Sequence, residues 1–314
     1  MCLAAVAALF ARPINLKDLR SRPDACRDYR QGMYRFEQVC LGLDDDVIDD
    51  CRPIVLTHGK KTEKAVVLYH GYTNCPRQYE KLALMFFERG YNVYVPLIPY
   101  HGLKDRETGE IGRLTLKDLR EVCDSSVDIA KGLSEKVTVL GLSLGGIMAA
   151  WDAQFRSDVD TAVILVPSFA WYYLPRTVRP LINFSRLMPD MLLWWDPVKK
   201  TEREAPYSMY YKFSSRGMGH ALTMGLSVIR AARKEAPACK DIIVMTNALD
   251  VAVDERTTRD LVRSWKARGA RVRFYQFPKE MKMEHDVIDP LQPYEKTDRV
   301  YQTIFEHLEE TSEE

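Results

Sequence analysis

The run Gly141-Leu142-Ser143-Leu144-Gly145 holds the most reactive spacing in the chain. A serine hydroxyl is a weak nucleophile until a base takes its proton. The spacing G-x-S-x-G supplies the small neighbours that let a serine occupy a tight, strained turn. A strand is expected at 136–140 and a helix at 144–155, so the turn between them projects the Ser143 Oγ past the strand end. The N–H of Leu144, at the helix start, then faces developing negative charge and is the first candidate oxyanion donor. The alternative for the same residues is a glycine-rich turn chosen for close packing of helix on strand.

At a turn of this kind the partners follow in the order serine, acid, histidine, at the ends of later strands. Six histidines are present: His58, His70, His101, His220, His285 and His307. Only His285 and His307 lie beyond the strand expected at 271–277, and His307 falls inside a terminal helix expected at 296–309. His285, in a loop, is therefore the candidate base, and its neutral form must dominate for activity, which is expected to rise through about pH 6–7. The strand expected at 241–246 runs into a turn bearing Asp250 and Asp254. Asp250 is favoured to hold the Nδ1–H of His285, because Asp254 suits the N-cap of the helix expected at 255–266. Asp286, adjacent to the histidine, is read as structural. The loop His70-Gly71-Tyr72-Thr73-Asn74-Cys75-Pro76 follows the strand at 64–69. It would bring the N–H of Tyr72 to the nucleophile as a second oxyanion donor, with His70 bracing the loop.

These turns need a sheet whose strand ends converge. Short apolar runs at 33–41, 53–57, 64–69, 91–96, 136–140, 161–167, 241–246 and 271–277 read as strands. Helical spacing marks 78–89, ending at Gly90, then 115–131, 144–155, 255–266 and 296–309. Such alternation predicts an α/β fold with a mostly parallel sheet covered by helices on both faces. From 169 to 239 strand signals are absent, large apolar side chains crowd together and prolines at 175, 180, 189, 197 and 206 interrupt the run. We expect a helical lid inserted after the sixth strand, with Trp171, Tyr172, Trp194 and Trp195 as candidate substrate contacts; the alternative is a helical extension of the core. The expected division is an N-terminal extension at 1–32, a core at 33–168 and 240–314, and the lid at 169–239.

Composition narrows the classes. Lys+Arg 45 against Asp+Glu 44 leaves a formal charge of +1 and no basic surplus for nucleic acid. Seven cysteines lie scattered without metal-ligand spacing, and no metal, nucleotide or flavin motif appears, so no cofactor is expected. Their odd number and low density fit a reducing compartment; in an oxidising one, Cys51 and Cys75 are the first pair to consider, since both flank the strand at 64–69. The apolar run 2–11 is too short to span a bilayer, which takes about 20 residues. It reads either as a short packed helix or as the end of an anchor giving membrane contact, so a cytoplasmic and a membrane-associated location both stand open.

Taken together, His70-Gly71-Tyr72, Pro99-Tyr100-His101-Gly102, Gly141-Leu142-Ser143-Leu144-Gly145-Gly146 and the order Ser143, Asp250, His285 resemble the α/β-hydrolase family over roughly residues 53–310. Within it the motifs look most like bacterial carboxylesterases and monoacylglycerol lipases, whose relatives carry a similar lid. That resemblance implies hydrolysis of a small ester with an apolar group through an acyl-enzyme. The first fifty residues, and the long charged approach 280–284 to His285, depart from the family pattern. The same three residues would serve an amidase, a peptidase or a C–C bond hydrolase, and a non-catalytic binding protein could retain the pocket. A peptidase would need an acidic reader of the substrate amine, for which Asp190, Asp196, Glu202 and Glu204 are the candidates.

Overall fold

The computed structural model describes residues 19–170, 185–293 and 296–310. The apolar run 2–11 and the candidate contacts Trp171 and Tyr172 lie outside the described residues. A seven-stranded sheet forms the centre. Its strands are β1 (Ile54–Leu56), β2 (Thr62–Tyr69), β3 (Asn92–Val95), β4 (Ser134–Leu142), β5 (Thr161–Leu165), β8 (Asp241–Asn247) and β9 (Arg271–Phe277). Their spatial order is β1-β3-β2-β4-β5-β8-β9. Only β1 runs antiparallel to its neighbour, so the α/β sheet is mostly parallel, as expected.

Both faces of the strands are buried, which is why these runs read as continuously apolar rather than alternating. Val67, Tyr69, Val139 and Ile164 point into one core layer, and Val66, Leu68, Leu140 and Leu165 into the other. The first layer is completed by helices α3 (Leu116–Leu133) and α4 (Leu144–Phe155), the second by α2 (Glu80–Glu88) and α7 (Thr297–Glu310). Thr115 and Asp118 form a reciprocal capping box that starts α3. Helix α6 (Glu255–Lys266) follows β8.

Two local expectations are corrected. Residues 33–41 are not a strand but most of helix α1 (Tyr29–Leu41), whose N-cap Asp28 accepts from the Gln31 N–H at 2.9 Å. Met33, Phe36 and Val39, at three-residue intervals, turn one face of α1 to the core, and Gly32 comes against Gly132 of α3, where a Cβ on Gly132 would run into the Asp28 carbonyl oxygen. The strand preceding the 169–239 segment is therefore β5, not a sixth. That segment is also not free of strands: β6 (Leu192–Trp194) pairs antiparallel with β7 (Lys212–Ser214), and an 18-residue helix, α5 (Ser215–Ala232), follows.

Cys51 and Cys75 are joined by a disulfide with Cα atoms 5.3 Å apart, linking the turn before β1 to the loop after β2. Cys26, Cys123 and Cys239 are buried free thiols. No helix among the described residues is long and apolar enough to cross a membrane.

Register brings the site together. Tyr69 lies beside Gly141, Leu142 beside Leu165, Leu165 beside Met245, and Asn247 beside Phe277. The loops carrying Tyr72, Ser143, Asp250 and His285 thus all leave the same edge of the sheet, at the carboxyl ends of its parallel strands.

Candidate active site

Ser143 sits between β4 and α4 with φ 58° and ψ −108°, a conformation that L-residues rarely adopt. Its surroundings make that corner stable. A Cβ on Gly145 would overlap the carbonyl oxygen of Tyr69, and one on Gly141 would overlap that of Gly145, so the motif's glycines are required by close backbone approach. The Ser143 N–H donates to the Leu165 carbonyl at 3.0 Å, fixing the turn to the end of β5.

His285 reaches Ser143 and Asp250 together. Its Nε2 lies 2.9 Å from Ser143 Oγ, and its Nδ1 2.6 Å from Asp250 Oδ2. A carboxylate can only accept, so Nδ1 carries the hydrogen and the neutral ring presents a bare Nε2 to the serine hydroxyl. The other Asp250 oxygen accepts from the N–H groups of Ala252 at 2.7 Å and Val253 at 3.2 Å. Burial opposes the charged forms of both side chains. The ion pair with its hydrogen bond overcomes this, holding Asp250 below the usual carboxylate range and raising His285 above the ordinary imidazole value. Asp254 takes the N-cap position of α6, where its carboxylate accepts from the Thr257 hydroxyl at 2.9 Å.

Two links hold the His285 loop. Asn247, at the end of β8, donates from Nδ2 to the carbonyls of Met283 and Glu284, both at 2.9 Å. Asp286 accepts from Gln78 Nε2 at 2.8 Å and from Gln292 Nε2 at 2.9 Å, so its carboxylate is spent on structure.

Neither the Tyr72 nor the Leu144 N–H hydrogen-bonds to a described residue. The neighbouring Gly71 N–H is engaged by Gln78 Oε1 at 2.8 Å. The residues after Tyr72 are gripped by the segment between β5 and β8. Thr73, at φ 67°, accepts on its carbonyl from the Tyr210 N–H at 2.8 Å and on its hydroxyl from Trp195 Nε1 at 2.9 Å. The Tyr72 phenol donates to the Ser214 carbonyl at 3.1 Å, and burial raises it above its ordinary range. His70 donates from Nδ1 to the Gly71 carbonyl and accepts at Nε2 from the Ile98 N–H at 3.0 Å. Buried without a counter-charge and beside His101, it is held neutral well below the ordinary histidine range, as a brace would be.

Trp195 packs on Phe213 with ring centroids 4.4 Å apart, and Trp194 is flanked by the Lys212 ammonium at 4.2 Å. The candidate amine readers are placed elsewhere. Asp190 accepts from Ser214 Oγ at 2.6 Å and from the Arg216 N–H at 3.0 Å at the start of α5. Asp196 accepts from the N–H groups of Val198 and Lys199, and Glu202 and Glu204 are exposed. Sequence reasoning missed Ser168, whose Oγ lies 2.8 Å from that of Ser143, and the bridging amides of Gln78 and Asn247. Position just past a strand end was the signal available for Ser168 and Asn247; Gln78 offered none.

The Serine aminopeptidase, S33 family model matches residues 60–277. No curated protein matches the chain. Among solved structures, the chain is similar to a metagenome-derived lipolytic enzyme from the study of LipS and LipT, at 16% identity and TM-score 0.65, covering 84% of this chain and 99% of that one. It is also similar to the monoacylglycerol lipase of Paleococcus ferrophilus, at 18% identity and TM-score 0.59, covering 82% and 97%. A soluble variant of monoglyceride lipase from Saccharomyces cerevisiae is similar at 15% identity and TM-score 0.54, covering 82% and 89%.

Proposed function

The chain belongs to the Serine aminopeptidase, S33 family of α/β-hydrolases, and on that premise we propose that it is a serine hydrolase of carboxylic esters, carboxylesterase-like or monoacylglycerol-lipase-like. The observation that carries the proposal is the continuous hydrogen-bonded chain from Asp250 through His285 to Ser143. Ser143 attacks the acyl carbon while His285 Nε2 takes its proton. The N–H groups of Tyr72 and Leu144 receive the oxyanion, each such donor being worth about 10²–10³ in rate. His285 returns the proton to the leaving alcohol, and water then repeats the sequence on the acyl-enzyme.

Two further points favour an ester over a peptide. The acids of the segment between β5 and β8 are engaged with their own backbone and hydroxyls, exposed or, for Glu235, paired with Arg20 at 2.9 Å. The fold is also shared with lipolytic enzymes and monoacylglycerol lipases. We take residues 169–239 as a lid over the cleft, with Trp171, Tyr172, Trp194 and Trp195 as its apolar contacts. The test is hydrolysis of p-nitrophenyl esters from acetate to palmitate beside Ser143→Ala. A chain-length optimum lost in the variant supports the reading; turnover of aminoacyl-p-nitroanilides in preference to every ester overturns it.

A further inference from the structure

Ser143 Oγ has a second hydroxyl beside it. Ser168 Oγ lies 2.8 Å away, both side chains are buried, and the Ser168 N–H donates to the Ser143 carbonyl at 3.2 Å. The direction of the hydroxyl contact follows from counting hydrogens. With Nδ1–H of His285 given to Asp250, the neutral ring accepts at Nε2, so the single hydrogen of Ser143 goes to the histidine. The Ser143–Ser168 contact must then be made with the hydrogen of Ser168. In the active form, Ser168 donates to the nucleophile oxygen.

The backbone holds Ser168 there at some cost. It follows Val166, a buried β-branched residue at φ 41°, and Pro167. Positive φ at a β-branched residue is an outlier that persists only where surrounding contacts over-determine it. Here the Val166 N–H donates to the Met245 carbonyl at 2.8 Å. The two hydroxyls therefore sit on adjacent strained corners, at the ends of β4 and β5.

We propose that Ser168 is a further catalytic residue whose hydroxyl stabilises Ser143 Oγ as the leaving group of deacylation, an inference that rests on the acyl-enzyme reading above. In free enzyme Ser143 Oγ is a hydroxyl and already accepts this bond, so less is gained as it attacks than as it leaves. In the acyl-enzyme it is an ester oxygen, a poor acceptor. When the deacylation intermediate collapses, the C–Oγ bond breaks, its electron pair returns to Oγ, and the proton on His285 Nε2 moves to that oxygen. Ser168 keeps its own proton throughout and donates a hydrogen bond that strengthens as negative charge grows on Oγ. The effect falls on the second half of the cycle.

Stopped-flow hydrolysis of p-nitrophenyl butyrate separates the halves, since the burst reports acylation and the steady state deacylation. For Ser168→Ala we expect a burst rate within about threefold of the parent and a steady-state rate lowered about tenfold, as for loss of one charge-assisted hydrogen bond. Ser168→Thr, which keeps a hydroxyl, should recover most of the loss, whereas Ser168→Val, of the same shape without it, should not. Equal slowing of burst and steady state, an unchanged steady state in Ser168→Ala, or no recovery in Ser168→Thr overturns the proposal. Ser143→Ala, run alongside, must show neither burst nor turnover; if it turns over like the parent, the nucleophile assignment itself is wrong, whatever the Ser168 variants do.

Discussion

Gln78 and Asp286, 208 residues apart in sequence, meet through a 2.8 Å hydrogen bond, and the same Gln78 amide accepts the Gly71 N–H on its other end. One buried side chain thus spans from the strand end leading to Tyr72 to the residue following His285. Gln78→Leu leaves a backbone donor and a carboxylate oxygen short of a partner, and should cost about 2–3 kcal/mol of stability. We expect kcat to fall about tenfold with KM little changed, as for a loss of alignment in the transition state. Steady-state kinetics and thermal melts check both. Gln78→Glu, which sets a second carboxylate against Asp286, should be more damaging at pH 8 than at pH 5.

The raised His285 fixes a pH dependence. Activity needs the neutral ring, so kcat/KM should fall as pH drops through a value above about 6.5, higher than the ordinary imidazole alone would give. Removing the Asp250 charge removes the cause. In Asp250→Asn the acid limb should move to lower pH while the rate drops by about 10⁴, because an amide can donate to Nδ1 and favour the wrong tautomer. A pH–rate profile of parent and variant decides this; an unmoved limb would show that another group controls it.

Asp289 couples pH to stability with the opposite sign from most acids. It is buried and accepts from Asn74 Nδ2 at 3.3 Å and from the Leu291 N–H at 2.9 Å. Burial, and then the neighbouring Asp286 carboxylate, push it up to about 7. A carboxyl whose pKa rises on folding binds its proton more tightly when folded, so its contribution is most favourable at low pH and is lost as pH climbs from about 4 to 7. Asp289→Asn keeps an acceptor and sheds the charge. It should be more stable than the parent at pH 8, with the difference gone near pH 4, as read from melts across that range.

The disulfide joins cysteines 24 positions apart in sequence and should contribute about 3 kcal/mol by restricting the unfolded chain. Both cysteines are fully buried, so reductant should reach the bond slowly in the folded protein. We expect the Cys51→Ala/Cys75→Ala pair to melt several degrees below the parent. Incubation of native parent with dithiothreitol at 25 °C should reproduce that loss only after prolonged exposure, measured by thiol titration.

Much of the site's framework was legible because strand ends and their turns have local signatures. The glycines around Ser143, the N-cap at Asp254 and the loop position of His285 are all readable from neighbours in sequence. Residues 33–41 read as a strand because Tyr34, Phe36 and Val39 favour strands intrinsically, while the three-residue spacing of Met33, Phe36 and Val39 and the cap at Asp28 decide for helix α1. Helix α5 lies in the segment expected to be helical, but its bounds carry no clear local signal. Gly217, Gly219 and Gly225 count against a helix, yet Gly217 lies against the Tyr72 phenol and Gly225 against Phe169, where any side chain would collide. Gln78 depends on side-chain direction across the sheet edge, which no local pattern encodes, and for Ser168 the strand end gives the position but not that direction.

The grip of residues 195–214 on Tyr72 and Thr73 has a consequence for redesign. Trp195, Tyr210 and Ser214 all bond to the loop that presents the Tyr72 N–H. Grafting a foreign segment between β5 and β8, in the hope of changing only substrate choice, would also unseat that loop. Chimaeras of this chain should lose turnover until matching substitutions at Tyr72 and Thr73 are brought along with the graft, so selectivity and rate are inherited as one module.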